Sequence, residues 1–414
     1  MSKHILIIGG GAAGLMAAKY ALDAGARVTL VEKNEKLGKK LYITGKGRCN
    51  VTNACDRDGL MKNIVRNPRF LYASLACLDN LGIMDVLESL GVPLKVERGE
   101  RVFPQSDHAS DITSALERFI RSKGARILLN TAVKALIVEN GVCLGAQTDK
   151  GPIASDACIL ATGGMSYPST GSDGEGHAFM KAAGHSIVPC RPALTPIETS
   201  EAWCARLMGL SLKNVRLSAY ADVKGKRKAI YSDMGEMLFT HFGVSGPLVL
   251  SLSSLLPDDC RGTELFIDLK PALDEKTLDA RVLREFSAMP NRQIASVMDT
   301  LEPHALGEVL LENCQIPPGK PVNAVTAQER ARLVRLMKAV PLTVKRLRGF
   351  EEAIITRGGV NVKEIDPSTM ESKLVKNLYT AGELLDADAL TGGFNITIAF
   401  STGALAGKSA ALGS

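Results

Sequence analysis

Apolar residues run without a break through HILII (residues 4–8), take up a helical period through GGGAAGLMAAKYALDAG, and run together again in RVTLVEK. A continuous apolar strand, a helix of small residues and a second strand predict the opening βαβ unit of a doubly wound sheet. Residues 57–91 keep helical spacing, clearest in FLYASLACLDNLGIMDVLESLG, and DITSALERFIRSKG opens on Asp111 as a candidate N-cap. Four runs of β type follow, RILLN, AVKALIVE, CLGAQTD and IASDACILA, the middle pair joined by the turn residues Asn140 and Gly141.

After Pro189 the pattern changes to short alternating stretches bounded by Pro and Gly, and then to helices from about residue 273. From about 345 the glycine-rich αβ texture returns, with strands at EAIIT and LVKNLYTAGE and a closing helix from about Gly393 to Ala411. The expected fold is α/β. A Rossmann-like domain is built from both chain ends, 1–189 and 345–414, around an inserted β-rich, barrel-like part at 190–272 and a helical part at 273–344.

Length and composition are compatible with this plan, since 414 residues with 45% hydrophobic content exceed one ordinary core and carry no disorder signature. The nine cysteines are irregularly spaced, with no C-x-x-C pair, as expected of reduced thiols and not of thiol-disulfide chemistry. HILII starts the fold at once and no apolar run approaches a membrane span, so the expectation is a cytoplasmic protein without a membrane partner. The sequence sets no oligomeric state. The net charge of +6 is modest, but basic residues gather at Lys33, Lys36, Lys39, Lys40, Lys46 and Arg48, at Lys224, Lys226, Arg227 and Lys228, and at Lys345, Arg346 and Arg348. Such clusters permit a polyanionic partner as well as simple solvation.

Gly9-x-Gly11-x-x-Gly14 follows an apolar strand and opens a helix, and Glu32 ends the next strand. In that setting Gly9 makes the tight turn, Gly11 admits a pyrophosphate and Gly14 packs helix on strand, while the helix N-terminus, with Ala12 and Ala13, faces the phosphates. Glu32 would accept from an unphosphorylated ribose. Lys33 and Lys40 are further cofactor candidates within the first basic cluster. FAD is separated from NAD by the far end of the chain, where a strand ends at Gly382-Glu383 and a helix begins at Gly392-Gly393-Phe394-Asn395-Ile396. Exposed amides at that start would favour negative charge on a reduced flavin ring.

GGGAAGLMAA, TGKGRCNVTN, GEMLFTHFGVSGP, TRGGV with TMESK, and GELLDADALTGGFN together resemble the YhiN/BaiN-type FAD flavoproteins, nearly end to end. Two features depart from the family pattern, Lys46 in place of a small residue and the stretch LDADALTGGFNITIAF. The resemblance implies a glutathione-reductase-like FAD domain interrupted by a barrel and a helical subdomain. It also implies a return turn to the cofactor at Ala161-Thr162-Gly163 and a backbone contact to adenine at Val133. Family activities differ: some members reduce a uridine of large-subunit ribosomal RNA to dihydrouridine, some act on steroid double bonds, and one type oxidises a small aminoketone.

In the loop LYITGKGRCNVTN, Gly45 and Gly47 allow close approach to a ligand and Asn50 tolerates turn geometry. Arg48 could neutralise phosphate or fix an anionic substrate group. Cys49 has two readings, a thiol that gives a proton to the carbon opposite the hydride, or a small apolar residue packed on the ring. His241 could orient a carbonyl or donate a proton, or be a hydrogen-bonded structural histidine. No second glycine fingerprint follows a strand, so NADH or NADPH would dock transiently as electron donor. Three functions are consistent with these residues: reduction of C5=C6 of a uridine in ribosomal RNA, oxidation or enone reduction of a small molecule, and a non-enzymatic RNA-binding flavoprotein.

Overall fold

The computed structural model describes residues 2–223 and 225–413, except for the side chains of Lys46 and Val223; Lys224 and the Lys46 side chain, both in the basic clusters above, lie outside the described residues. The chain forms two compact units, Met1–Ala193 with Gly349–Ser414, and Leu194–Arg348.

The first unit is organised on a five-stranded parallel sheet in the order Leu378–Thr380, Ala157–Leu160, His4–Ile8, Arg27–Val31, Arg126–Leu128. HILII is uninterrupted because the central strand is covered on both faces, leaving Ile5, Leu6 and Ile7 with no solvent exposure. The strand from the far end of the chain, Leu378–Thr380, pairs with Ala157–Leu160, so both chain ends contribute to one sheet.

The opening helix, Ala12–Asp23, and the closing helix, Phe394–Leu412, touch backbone to backbone. A Cβ on Gly403 would lie 2.3 Å from the Ala13 carbonyl oxygen, and one on Gly407 would lie 2.2 Å from that of Ala17. Only glycine permits this approach. The closing helix is buried from Thr397 through Gly407 except at Ala399, and its hydroxyls are satisfied internally: Ser401 donates to the Leu78 carbonyl and Thr402 to that of Ile398, both at 2.6 Å.

Several local expectations shift. IASDACILA divides at Ser155-Asp156 into Gly151–Ala154, in a meander with Val133–Glu139 and Val142–Thr148, and Ala157–Leu160 in the parallel sheet. Asp156 marks the break by accepting the His4 amide at 2.6 Å. Asn140 and Gly141 both have positive φ, 52° and 75°, as a tight hairpin requires. The helix assigned to start at Asp111 begins at Ala109, and Asp111 instead accepts from the Ser106 hydroxyl in the first turn. Against the expectation from the sequence, one stretch, Pro68–Ser89, is long and apolar enough by composition to cross a membrane. Here it is broken at Leu78-Asp79 into short helices that bury Leu71, Leu75, Ile83 and Leu87 in the core.

The second unit is a closed barrel in the order Ile197–Thr199, Gly243–Ser245, Lys226–Thr240, Ser211–Val223, Glu264–Asp268, Val340–Leu347. Its helices include Glu275–Ala288, capped by Asp274, and Ala327–Lys338, which carries a capping box between Thr326 and Glu329. Residues 340–344, expected in the helical part, form a barrel strand, because pairing with Glu264–Asp268 closes the sheet. Residues 190–193, expected in the insertion, pair with Ile355–Val360 of the first unit instead.

Gly407→Ala tests the helix contact. Overpacking against a backbone carbonyl is expected to cost about 1–3 kcal/mol, read as a lower urea midpoint, and an unchanged midpoint would show that the helices separate freely.

Candidate functional site

The first glycine motif makes a turn in which each glycine answers a different need. Gly9 has φ of 104°, and a Cβ there would lie 2.4 Å from the Ala161 carbonyl oxygen; one on Gly14 would lie 1.9 Å from that of Gly9. A Cβ on Gly11 meets nothing within 4 Å, so the backbone at the start of the opening helix faces open space. No side chain caps that start. Ala12 and Ala13 form its first turn, and the next loop, Ala161-Thr162-Gly163, lies against it through Gly9. The Thr162 hydroxyl is buried without a hydrogen-bond partner among the described residues.

Glu32 is buried beside this turn. One carboxylate oxygen accepts from the Gly10 amide at 2.8 Å, the other from the Asn34 amide and side chain at 2.9 and 2.8 Å. The oxygen facing Gly10 retains capacity for a further donor, while the other already accepts two. The Thr131 amide donates to the Glu32 carbonyl at 3.0 Å, which brings buried Val133, two residues on, to the same edge.

The charged candidates are already engaged. Lys33 lies 2.6 and 2.9 Å from Asp173 and Glu175; burial opposes its charge, but these bonds outweigh burial and hold its pKa above the ordinary value. Lys40 donates at 2.6 Å to both Ser166 and Glu383. Glu383 also accepts from the Ser166 hydroxyl and the Thr356 amide. Burial alone would raise its pKa, but Lys40 and these donors hold the carboxyl below its ordinary range. Neither lysine is therefore an unpaired charge for phosphate.

Leu41–Gly47 forms a short 3-10 turn, with Gly45 and Gly47 at φ of 57° and 87°. Arg48 donates to Asp107 at 2.6 Å and to Glu97, and its guanidinium sits 4.2 Å over the Phe103 ring. That corrects its expected role, because two carboxylates neutralise the charge assigned to phosphate or substrate. Cys49 has φ of 58°, has no solvent exposure and donates its amide to the Thr44 carbonyl. Burial pushes its thiol up to about 12, with a Thr44 hydrogen bond pulling the other way. A packed, protonated thiol favours the apolar reading over proton donation. The Asn50 side-chain oxygen is buried and lacks a partner among the described residues.

The loop then clamps the second glycine motif. The Asn53 side chain donates to the Gly392 carbonyl at 3.1 Å, and a Cβ on Gly393 would lie 2.3 Å from the Thr52 carbonyl oxygen. Gly393 caps the closing helix with φ of 101° and no side-chain cap, and the Gly382 amide donates to Thr402 in that helix at 2.9 Å. A Cβ on Gly382 would lie 2.8 Å from the Ala13 Cβ, so the two motifs meet. Phe394 is buried and Ile396 half-buried. Asn395, placed among the cofactor contacts by the sequence, uses its amide on the loop: the oxygen accepts from the Ala389 amide and the nitrogen donates to the Ala389 and Leu390 carbonyls.

His241 belongs to the second unit, exposed in the turn after Lys226–Thr240, with its ring edge-on to Phe242 at 4.9 Å. Sequence reasoning passed over Asp388, which is 1% exposed, and Arg66, whose Nε lies 3.2 Å from it. Asp388 stood in a quoted motif, but nothing in the sequence showed that it is buried.

An FAD fits these residues. Two glycine helix starts without side-chain caps suit an anionic pyrophosphate and ring, and the orphaned Thr162 hydroxyl and Asn50 oxygen await polar partners. The fold and paired motifs define an FAD-dependent oxidoreductase. The HI0933-like protein Rossmann domain model matches residues 3–409, and the chain belongs to that family. It is 31% identical over 99% of both chains to the 3-dehydro-bile acid delta(4,6)-reductase of Clostridium scindens. It is 27% identical to the ribosomal RNA dihydrouridine synthase of Escherichia coli, over 96% of this chain and 95% of the relative. The structure of 3-ketosteroid-delta4-(5alpha)-dehydrogenase from Rhodococcus jostii superposes with a TM-score of 0.51 at 15% identity, covering 99% of this chain and 97% of that one, which shows a shared fold.

Two measurements check this geometry. Cys49 in the native protein is expected to resist iodoacetamide at pH 8, and mass-spectrometric labelling at the rate of a free thiol would contradict its burial. Burial also raises the Asp388 carboxyl to about 7. A carboxyl raised on folding contributes stability that is full below the unfolded value near 4 and is lost as pH rises through about 7. Wild type should therefore lose up to about 4 kcal/mol relative to Asp388→Asn between pH 4 and 8, and parallel urea midpoints across that range would exclude it.

Proposed function

We propose that the protein reduces a carbon–carbon double bond conjugated to a carbonyl group, with C5=C6 of a uridine in large-subunit ribosomal RNA as its substrate. Bound FAD supplies the hydride equivalent. The amides at Gly11–Gly14 would hold its pyrophosphate, Glu32 its ribose, and the helix start at Gly393 the pole of its ring where negative charge gathers. Asn50 and Thr162 would give polar contacts between these ends. With one dinucleotide fingerprint in the chain, NADH or NADPH would dock transiently as electron donor. The saturated base gains a hydride at one carbon and a proton at the other. Buried Cys49 is a poor source of that proton.

The observation that carries the RNA reading is a cleft of about 420 Å³ on the barrel, lined by Thr199, Ser200, Arg261, Thr343 and Lys345. Arg261 and Lys345 are exposed and have no salt-bridge partner among the described residues. Cations and hydroxyls in one concavity suit a phosphodiester backbone. The dihydrouridine synthase relative supports the same substrate.

A second reading, reduction of a small enone, is favoured by the state of the other basic clusters. Arg346 donates to both oxygens of Glu198 at 2.7 and 2.8 Å and Arg348 donates to one at 2.6 Å, which pulls the Glu198 carboxyl down to about 2. Arg227 is bound to Glu264 at 2.6 Å. Side chains neutralised in this way release few counterions on binding RNA. The bile acid reductase relative supports this alternative.

Dihydrouridine in ribosomal RNA from cells with and without the gene, measured by mass spectrometry, decides between them, and an unchanged level removes the RNA reading. If RNA is the substrate, Arg261→Ala with Lys345→Ala should lower the salt slope of RNA-fragment binding by about 2. Reduction of a soluble enone should proceed at the wild-type rate in that variant.

A further inference from the structure

Asp388 has a setting that neither flavin binding nor substrate reduction has yet used. Its carboxyl is 1% exposed, and neither oxygen has a hydrogen-bond partner among the described residues. Arg66 lies 3.2 Å away but is not aligned to donate, and its Nε is likewise unpartnered. The backbone around the carboxyl is fixed. The Asp388 carbonyl accepts from the amides of Val65 and Arg66 at 2.8 and 3.2 Å, and the Leu390 amide donates to the Asn63 carbonyl at 2.9 Å. Asn395, in the first turn of the closing helix, ties the same segment to the Gly393 helix start. The segment that carries the carboxyl is therefore tied by hydrogen bonds to the first turn of the helix whose start would face a flavin's negative charge.

The charged groups facing it come from three segments. Arg66 follows the helix Arg57–Asn63, Arg357 comes from the strand Ile355–Val360, and Asp386 and Glu383 come from its own segment. Asp386 accepts from the Asn67 side chain at 3.1 Å through one oxygen, while its other oxygen is buried and unpartnered. A buried carboxylate lacking donors and flanked by two more carboxylates favours its neutral form, and the arginines limit that preference. Burial accordingly brings the group to about 7, where a modest change in local potential alters its charge.

We propose that Asp388 binds a proton when the flavin is reduced, so that its charge state sets part of the pH dependence of the reduction potential. The proposal rests on the reading that FAD lies at the Gly393 helix start. Two electrons from the reductant with one solvent proton would leave the ring with a single negative charge, and a second solvent proton forms the O–H bond of the Asp388 carboxylic acid. A negative charge on the ring and one on Asp388 repel in a medium of low dielectric, and protonation relieves that repulsion. Asp388 acts through the electrostatic field and is a positioning residue, not a catalytic one.

The test is a spectroelectrochemical titration of the FAD-loaded protein with dithionite-equivalent reduction from pH 5.5 to 8.5. Wild type should show a steeper fall of potential with pH than Asp388→Asn between about pH 6 and 8, by at most one additional proton per two electrons. Redox-difference infrared spectra should show a carboxylic acid band gained on reduction and missing in that variant. Arg66→Gln removes the facing cation, so the steep region should move to higher pH, and this measurement stands even if Asp388→Asn fails to fold. Parallel potential–pH lines for wild type and Asp388→Asn, or an unmoved steep region in Arg66→Gln, would overturn the proposal while leaving flavin binding intact. A protein without a flavin absorption band would overturn the FAD reading and this proposal together.

Discussion

The architecture depends on the backbone contact between the opening and closing helices. Gly403 and Gly407 bring the carbonyl oxygens of Ala13 and Ala17 to distances that no side chain allows, and Gly14 does the same for the helix and its own strand. Helices from opposite ends of the chain are thus locked to the same parallel sheet. With that contact in place, Gly382 reaches Ala13 and Gly393 reaches Thr52, and two uncapped helix starts become parts of one site. A helix start alone attracts an anion weakly. Two of them held by rigid packing can grip both ends of an extended dinucleotide.

The second theme is neutralisation. A basic protein by composition proves to have most of its conspicuous cations tied to carboxylates: Lys33, Lys40 and Arg48 in the first unit, Arg227, Arg346 and Arg348 in the second. Their pairing shapes loops more than it advertises charge. The Lys40–Glu383–Ser166 group fastens the loop after the second strand to the C-terminal motif, and Arg48 fastens the cysteine loop to Glu97 and Asp107. What remains unpaired is more informative. Arg261 and Lys345 lie in one cleft of the barrel, and Asp388 lies in the interior beside an arginine that does not donate to it. A buried carboxyl without donors is costly to ionise, which is what brings its charge under the control of its surroundings.

Local patterning made much of the fold legible. The continuous apolar run of HILII announced a strand covered on both faces, Asn140-Gly141 announced a tight hairpin, and the glycine fingerprint announced the tight turn from the first strand into the opening helix. Each signal depends on neighbours within a few residues. The failures share the opposite property. Asp111 looked like a cap, yet the helix starts two residues earlier and Asp111 holds Ser106. Residues 340–344 followed helices in the chain, yet close a barrel because their partners lie at Glu264–Asp268.

By itself the sequence determined the α/β class, the glycine turn after the first strand and the glycine start of the closing helix, because helix period, strand alternation and glycine conformation are properties of short segments. Only the tertiary structure decided which side chains are available for chemistry. It buried Cys49, occupied Arg48 and Asn395 with internal partners, and left Asp388 without a donor. The reason is physical: the charge and reactivity of a side chain depend on desolvation and on partners distant in the chain, and folding alone brings those partners within reach.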